Sequence, residues 1–258
     1  MQKKFGQNFL VSPSARSILL NALSLNAGDE VWEVGPGIGA MTHSLLQQNI
    51  KVKVFEIDRG FCAVQKELFG DNENFTIVEG DFLKTYLLQN DDDTPYILGN
   101  LPYNIAATII ASLIENGRFF KKAVFTVQKE VAERICAKEG GANYSSLSVL
   151  CSSVYNVKKI ALFCGSMFYP KPNVDSSAIL FELRSKIPLG VNFAFYKMVR
   201  SLFAQRRKTV LNNLCNFAGD KEKCIKILQA SKIKPTERAE NLSLDDFLRI
   251  SANLEGLQ

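Results

Sequence analysis

The chain has 258 residues, 47% of them hydrophobic and 22% charged, with 31 Lys/Arg against 26 Asp/Glu and a net charge of +5. This composition supplies a sizeable apolar core and excludes a disordered chain, and the lack of any apolar run of spanning length excludes a helical membrane protein. The six cysteines form no Cys-x-x-Cys pair and His43 is the only imidazole, so no disulfide framework, zinc site or other metal centre is expected.

Met1-Gln2-Lys3-Lys4-Phe5 is basic but leads into no apolar targeting segment, so the chain reads as cytoplasmic. Ser12-Pro13 predicts a helix start, with Ser as N-cap and Pro at the first helical position. From there, apolar segments rich in β-branched residues alternate with helical patterns. Strands are predicted at Glu30–Val34, Val52–Ile57, Thr76–Glu79, Tyr96–Gly99 and Ala123–Gln128, and helices at Met41–Gln48, Gly60–Leu68 and Ile105–Glu115. Such alternation signals a parallel sheet covered by helices.

A helix at Glu130–Ala137 then gives way to a Gly140-Gly141 break and an apolar stretch from Ser145 to Val157. Two antiparallel strands follow, Ile160–Cys164 and Ala178–Leu183, joined by the loop containing Phe168-Tyr169-Pro170-Lys171-Pro172. Beyond Pro188 the patterns are helical: Phe195–Phe203, Arg206–Ala218, Lys221–Gln229 and Leu244–Ala252. An α/β domain is therefore expected over 1–186 and a small all-α domain over 187–258. The second part also holds the charge excess. Residues 186–258 carry 13 Lys/Arg against 7 Asp/Glu, whereas 1–185 carry 18 against 19, and this asymmetry suits a polyanionic partner.

Three strand ends carry a constellation. Glu33-Val34-Gly35-Pro36-Gly37-Ile38-Gly39 follows the first strand and precedes a helix, where a nucleotide-like ligand enters a doubly wound sheet. Its spacing is neither the dinucleotide fingerprint nor a P-loop, so a phosphate-free adenosyl ligand fits better. Glu56, about twenty residues beyond the glycines, is placed to accept hydrogen bonds from ribose hydroxyls, with Ile57 beside it. Asp81 can accept from an adenine amine and Phe82 can stack on the ring.

The fourth strand runs into Asn100-Leu101-Pro102-Tyr103. The N6 lone pair of adenine is delocalised into the ring, so the amine becomes nucleophilic only when acceptors hold its hydrogens in a tetrahedral arrangement. The Asn100 side-chain carbonyl is one candidate acceptor. The Leu101 backbone carbonyl is the other, because Pro102 holds the preceding residue extended. Tyr103 offers a face on which the base can stack, and Phe168 is either a second aromatic wall or a core residue.

Together these residues resemble the small-subunit rRNA adenine N6-dimethyltransferases of the KsgA type, which are related to the macrolide-resistance rRNA adenine methylases. The resemblance also rests on Lys4-Phe5-Gly6-Gln7-Asn8-Phe9-Leu10 and on Phe168 to Ser176. It implies a Rossmann-like class I methyltransferase fold, with a mostly parallel seven-stranded sheet ending in an antiparallel hairpin, and a small helical domain. The implied cofactor is S-adenosyl-L-methionine, with Gln7, Asn8 and Leu10 joining Gly35, Gly37, Gly39, Glu56, Ile57, Asp81, Phe82 and Asn100 in its site. The implied reaction is dimethylation of two adjacent adenosines near the 3′ end of small-subunit rRNA, in a pre-30S-type particle, by a monomer. Leu202 to Thr209 and Arg238 to Leu244 resemble the small-subunit branch. Arg206, Arg207 and Lys208 form a basic cluster suited to RNA phosphates. A large-subunit rRNA methylase and a non-catalytic assembly factor are the alternatives.

Overall fold

A computed structural model describes residues 8–89 and 96–255 of the chain. Its strands are β1 (Phe9–Leu10), β2 (Glu30–Val34), β3 (Lys51–Glu56), β4 (Phe75–Glu79), β5 (Tyr96–Asn100), β6 (Lys122–Gln128), β7 (Tyr155–Phe163), β8 (Phe168–Tyr169) and β9 (Ser176–Leu183). Seven of them form one sheet in the order β4-β3-β2-β5-β6-β9-β7, and β1 pairs with β8 in a two-stranded ribbon. The pairings of β2 with β3 and β5, of β3 with β4, and of β5 with β6 are parallel, while β9 runs antiparallel to β6.

Central strands of a parallel sheet are covered on both faces, so nearly every residue of Glu30–Val34 and Tyr96–Asn100 is buried, Glu33 included. The chain builds β2, β3 and β4 outward in one direction, then crosses back to lay β5 on the other flank of β2. The reversal leaves a crevice at the carboxyl ends of β2 and β5, the usual ligand position in doubly wound sheets.

The helices accompanying these strands are α1 (Pro13–Leu23), α2 (Ala40–Leu46), α3 (Arg59–Phe69), α4 (Phe82–Thr85), α5 (Ala106–Glu115) and α6 (Lys129–Ile135). Ser12 caps α1 as its sequence predicts, its hydroxyl accepting the Ala15 N–H at 3.3 Å. One face of the sheet is sealed by Leu19 and Leu23 of α1 against Val31, Val52, Val54 and Leu98. Elsewhere Trp32 packs against Phe55 and Phe120, with ring centroids 4.8 and 5.5 Å apart. The near-uniform apolarity of α5 has a direct cause: Ile109, Ile110, Leu113 and Ile114 are all buried.

The chain divides into two compact units, one comprising residues up to 112, 119–132 and 157–183, the other 113–118, 133–156 and 184 onward. The helical unit thus takes in a segment from the middle of the chain as well as its C-terminal part. Within it lie α7 (Ser146–Val154), α8 (Phe193–Leu202), α9 (Val210–Ala218), α10 (Lys221–Ala230) and α11 (Leu244–Glu255). Tyr144 ties the middle segment in by donating its hydroxyl to the Leu242 carbonyl at 3.0 Å, and Phe203 stacks on Phe247.

Two sequence expectations change. The apolar stretch Ser145–Val157 resolves into α7 followed directly by β7. The helix expected from Arg206 begins instead at Val210, because the Thr209 hydroxyl accepts the Asn212 N–H and fixes the N-cap there. Arg206, Arg207 and Lys208 consequently lie in the preceding turn. No helix among the described residues is long and apolar enough to cross a membrane.

Candidate active site

A cleft of about 930 Å³, open to solvent, lies at the carboxyl ends of β2, β3, β4 and β5. The sequence-expected residues Asn8, Gly35, Gly37, Glu56, Ile57, Asp81, Phe82, Asn100, Leu101, Pro102 and Tyr103 all line it. The glycine turn serves two purposes. Gly37 has φ +59°, and a Cβ there would lie 2.6 Å from the Phe9 ring, so the bare backbone lets that ring close over the turn. Gly39 does not line the cleft. It is the left-handed N-cap of α2, and a Cβ there would strike Phe69 at 2.5 Å, so this glycine permits close helix packing.

Glu56 ends β3 with only 3% of its surface exposed. Its Oε2 accepts the Gly37 N–H at 3.2 Å and its Oε1 accepts the Asp58 N–H at 2.8 Å. Burial raises its pKa, and the N–H donors of Asp58, Gly37 and Ile57 oppose that rise. A carboxylate has about four acceptor positions, so each oxygen keeps capacity for a vicinal diol. Asp81 caps α4 through Oδ1, which accepts the Leu83 N–H at 3.0 Å. Phe82, held between Phe55 and Tyr86 at 5.0 and 5.2 Å, gives the cleft a rigid aromatic wall. Ile57 leaves 44% of its surface exposed there, an apolar side chain a ligand would cover.

Glu33, one strand inward, is fully buried. Thr42 Oγ1 donates to its Oε2 at 2.6 Å, while Oε1 has no hydrogen-bond partner among the described residues. Burial pushes its pKa up to about 7, the Thr42 hydroxyl holds it down, and the negative charge of Glu56 adds to the rise.

Asn100 donates through Nδ2 to the Asn8 carbonyl at 2.6 Å. A carbonyl partner demands the amide's N–H end, so Oδ1 is the end left for the cleft. The Leu101 N–H is spent on the Thr126 carbonyl at 3.1 Å, and the bonds that open α5 use the Pro102 carbonyl. The Leu101 carbonyl is not taken by those bonds. Tyr103 is anchored by its hydroxyl, 2.6 Å from the hydroxyl of buried Ser176, so its ring stands as a fixed wall. Burial raises the Tyr103 pKa, with Ser176 lowering it and Asp175 adding to the rise.

Other expected residues lie elsewhere. Leu10 and Phe168, 7% and 3% exposed, belong to the hydrophobic core and not to the cleft lining. Of the two readings of Phe168, the structure places it in core packing. Gln7 lies outside the described residues. Arg206, in the helical unit, bonds the Ala142 carbonyl at 2.8 Å and Glu240 at 3.3 Å. Sequence reasoning missed Phe9, whose ring reaches the glycine turn, and Ser176, the partner of Tyr103. The bare glycine at position 37 was the available signal for the first; nothing local signalled the second.

With this geometry in hand, the comparisons with known proteins are decisive. The profile of the family described as ribosomal RNA adenine dimethylase matches residues 1–255. The chain belongs to the ribosomal RNA adenine dimethylase family. A relative from Treponema denticola, the Ribosomal RNA small subunit methyltransferase A, is 45% identical over 260 residues, covering 97% of this chain and 88% of that protein. The crystal structure of a dimethyladenosine transferase from Plasmodium falciparum superposes with a TM-score of 0.78 at 29% identity, covering 94% of this chain and 95% of that one. The 23S rRNA methyltransferase ErmE shares the fold, with a TM-score of 0.67 at 21% identity over 96% of this chain and all of that one.

A dimethylase of this family draws its methyl groups from S-adenosyl-L-methionine, and the cleft fits that molecule. Among the described residues lining it the charged groups are carboxylates, with no Lys or Arg to offset the negative charge of a phosphate. It instead offers the carboxylates of Glu56 and Asp81, which suit a diol, an amine and a positively charged sulfur.

Proposed function

We propose that this protein dimethylates N6 of two adjacent adenosines near the 3′ end of small-subunit rRNA, acting as a cytoplasmic monomer on an assembling small-subunit particle. The bond from Asn100 Nδ2 to the Asn8 carbonyl carries the reading. It fixes the amide so that Oδ1 faces the reacting nitrogen, and it ties the catalytic turn to the N-terminal segment.

The bound cofactor supplies an electrophilic methyl group on a sulfonium. Glu56 holds the ribose hydroxyls, Asp81 the adenine amine, and Ile57 and Phe82 the two ring faces. Asn8 closes the site from the N-terminal side, the family resemblance implies a cofactor contact from Gln7 as well, and Gly35 and Gly37 let the backbone approach.

For the target base, Asn100 Oδ1 and the Leu101 carbonyl accept the two N6 hydrogens. Pro102 keeps Leu101 extended and the Tyr103 ring stacks on the base. The nitrogen's lone pair is then released from the ring toward the donor methyl. No strong base is required, because the amine loses its proton only as it becomes cationic. Rate comes from positioning and from carbonyl dipoles already aimed at the developing positive charge. Arg206, Arg207 and Lys208 meet RNA phosphates, a contribution that weakens with salt.

The test is transfer of labelled methyl groups to purified ribosomal subunits that lack dimethyladenosine. Label in two adjacent adenosines of the small subunit is the expected result. Label confined to the large subunit, or none in either, overturns the proposal.

A further inference from the structure

Register in the β1–β8 ribbon sets a second aromatic, Tyr169, on the same face as Phe9. Leu10 stands opposite Phe168, and both point into the core. Phe9 stands opposite Tyr169. Successive side chains of a strand point to opposite faces, and directly paired residues of an antiparallel ribbon share a face, with Cβ atoms about 4.5–5.5 Å apart. Phe9 lines the cleft. Tyr169 therefore stands beside Phe9 on the same face of the ribbon, outside the cleft lining itself, with 60% of its surface exposed. A large aromatic side chain left this open, beside a cleft already furnished with Tyr103, contributes little to folding. The exposed cation Lys171 follows two residues later.

We infer that Tyr169 is a stacking platform for an RNA base, holding the nucleotide next to the one whose amine is methylated. This rests on the proposed action on small-subunit rRNA. An extruded base leaves its neighbour unstacked, and an exposed aromatic face offers that neighbour a sequence-tolerant surface; truncating such platforms typically weakens binding by roughly tenfold to a hundredfold.

The experiment compares the full-length protein with Tyr169→Ala, Tyr169→Phe and Tyr169→Trp, using small subunits lacking dimethyladenosine and labelled S-adenosylmethionine. For Tyr169→Ala the expected result is a KM for the particle raised about tenfold or more. Its kcat stays within a few-fold, and its Tm and affinity for S-adenosylmethionine are unchanged. Phe and Trp restore KM because they restore the π face. An unchanged KM in Tyr169→Ala overturns the inference, as does a loss traced to Tm or to cofactor affinity. A wild-type protein that labels no small-subunit adenine sinks the underlying reading instead, so the two failures are distinguishable.

Discussion

The hydroxyl of Tyr103 lies 2.6 Å from that of Ser176, joining the turn after β5 to the first residue of β9, 73 positions further along the chain. This bond sets the angle of the ring, and under the proposed function, in which the target base stacks on that ring, ring and hydroxyl have separable roles. Tyr103→Ala removes the stacking face and should lower kcat/KM by about a hundredfold or more. Tyr103→Phe keeps the face but strands the buried Ser176 hydroxyl, at about 1 kcal/mol, and should lower activity only several-fold. Methylation kinetics and thermal denaturation on both variants check this. Equal losses would mean that the hydroxyl, not the ring, carries the function.

Asn100 faces two demands at once, donating to the Asn8 carbonyl and presenting Oδ1 to the cleft. Asn100→Asp replaces the donor with an acceptor, which then confronts a carbonyl oxygen. We expect kcat to fall by about a hundredfold or more in both Asn100→Asp and Asn100→Ala, the scale seen when a preorganised polar group is removed from a transition state. Single-turnover methyl transfer is the measurement, and near-normal rates in either variant would refute the assigned chemistry.

Glu56 accepts the Gly37 N–H through Oε2 and the Asp58 N–H through Oε1, and under the proposed function its remaining acceptor capacity holds the ribose hydroxyls of the cofactor. Glu56→Gln converts an acceptor into a donor that meets either an N–H or a ribose hydroxyl. Affinity for S-adenosylmethionine, read by calorimetry, should drop by about ten- to a hundredfold, corresponding to a lost charge-assisted bond. Affinity within twofold of the parent would remove Glu56 from the ribose position.

Glu33 makes a prediction about pH. Its pKa is about 7 in the fold against an ordinary 4.5, so between these values the folded state binds more protons than the unfolded chain. Stability from this group is therefore present at low pH and lost as pH rises from about 4.5 to about 7, by an amount on the order of 3 kcal/mol. Glu33→Gln mimics the protonated carboxyl at every pH. Denaturant titrations at pH 5 and pH 8 should show the variant gaining on the parent at the higher value; a gap independent of pH would contradict the assignment.

Gly37→Ala asks a positive-φ turn to accept a Cβ 2.6 Å from the Phe9 ring. The left-handed conformation alone costs an L-residue roughly 1–2 kcal/mol. Because the ring must also move from the cleft wall, the variant should bind S-adenosylmethionine at least tenfold more weakly. Calorimetry against the parent measures it, and unaltered binding would show that Phe9 does not cover the turn in the working enzyme.

The sequence determined the elements whose cause is local. Glu30–Val34 was legible to the residue because Val31, Trp32 and Val34 are β-prone and the glycine turn that follows marks its end, and α1 because Ser12 and Pro13 encode its start. The cleft residues after β2, β3, β4 and β5 were legible for a related reason: a doubly wound sheet brings successive strand ends to one edge, so spacing along the chain becomes proximity in space. The tertiary structure alone decided what depends on distant pairing. Phe168 and Tyr169 are adjacent aromatics that sequence cannot rank, and register with Leu10 and Phe9 sends one into the core and leaves the other exposed. Likewise Ser176 gained its task only when β9 was laid against β6, since a hydrogen bond across the fold leaves no period, cap or turn signal in either partner's own segment.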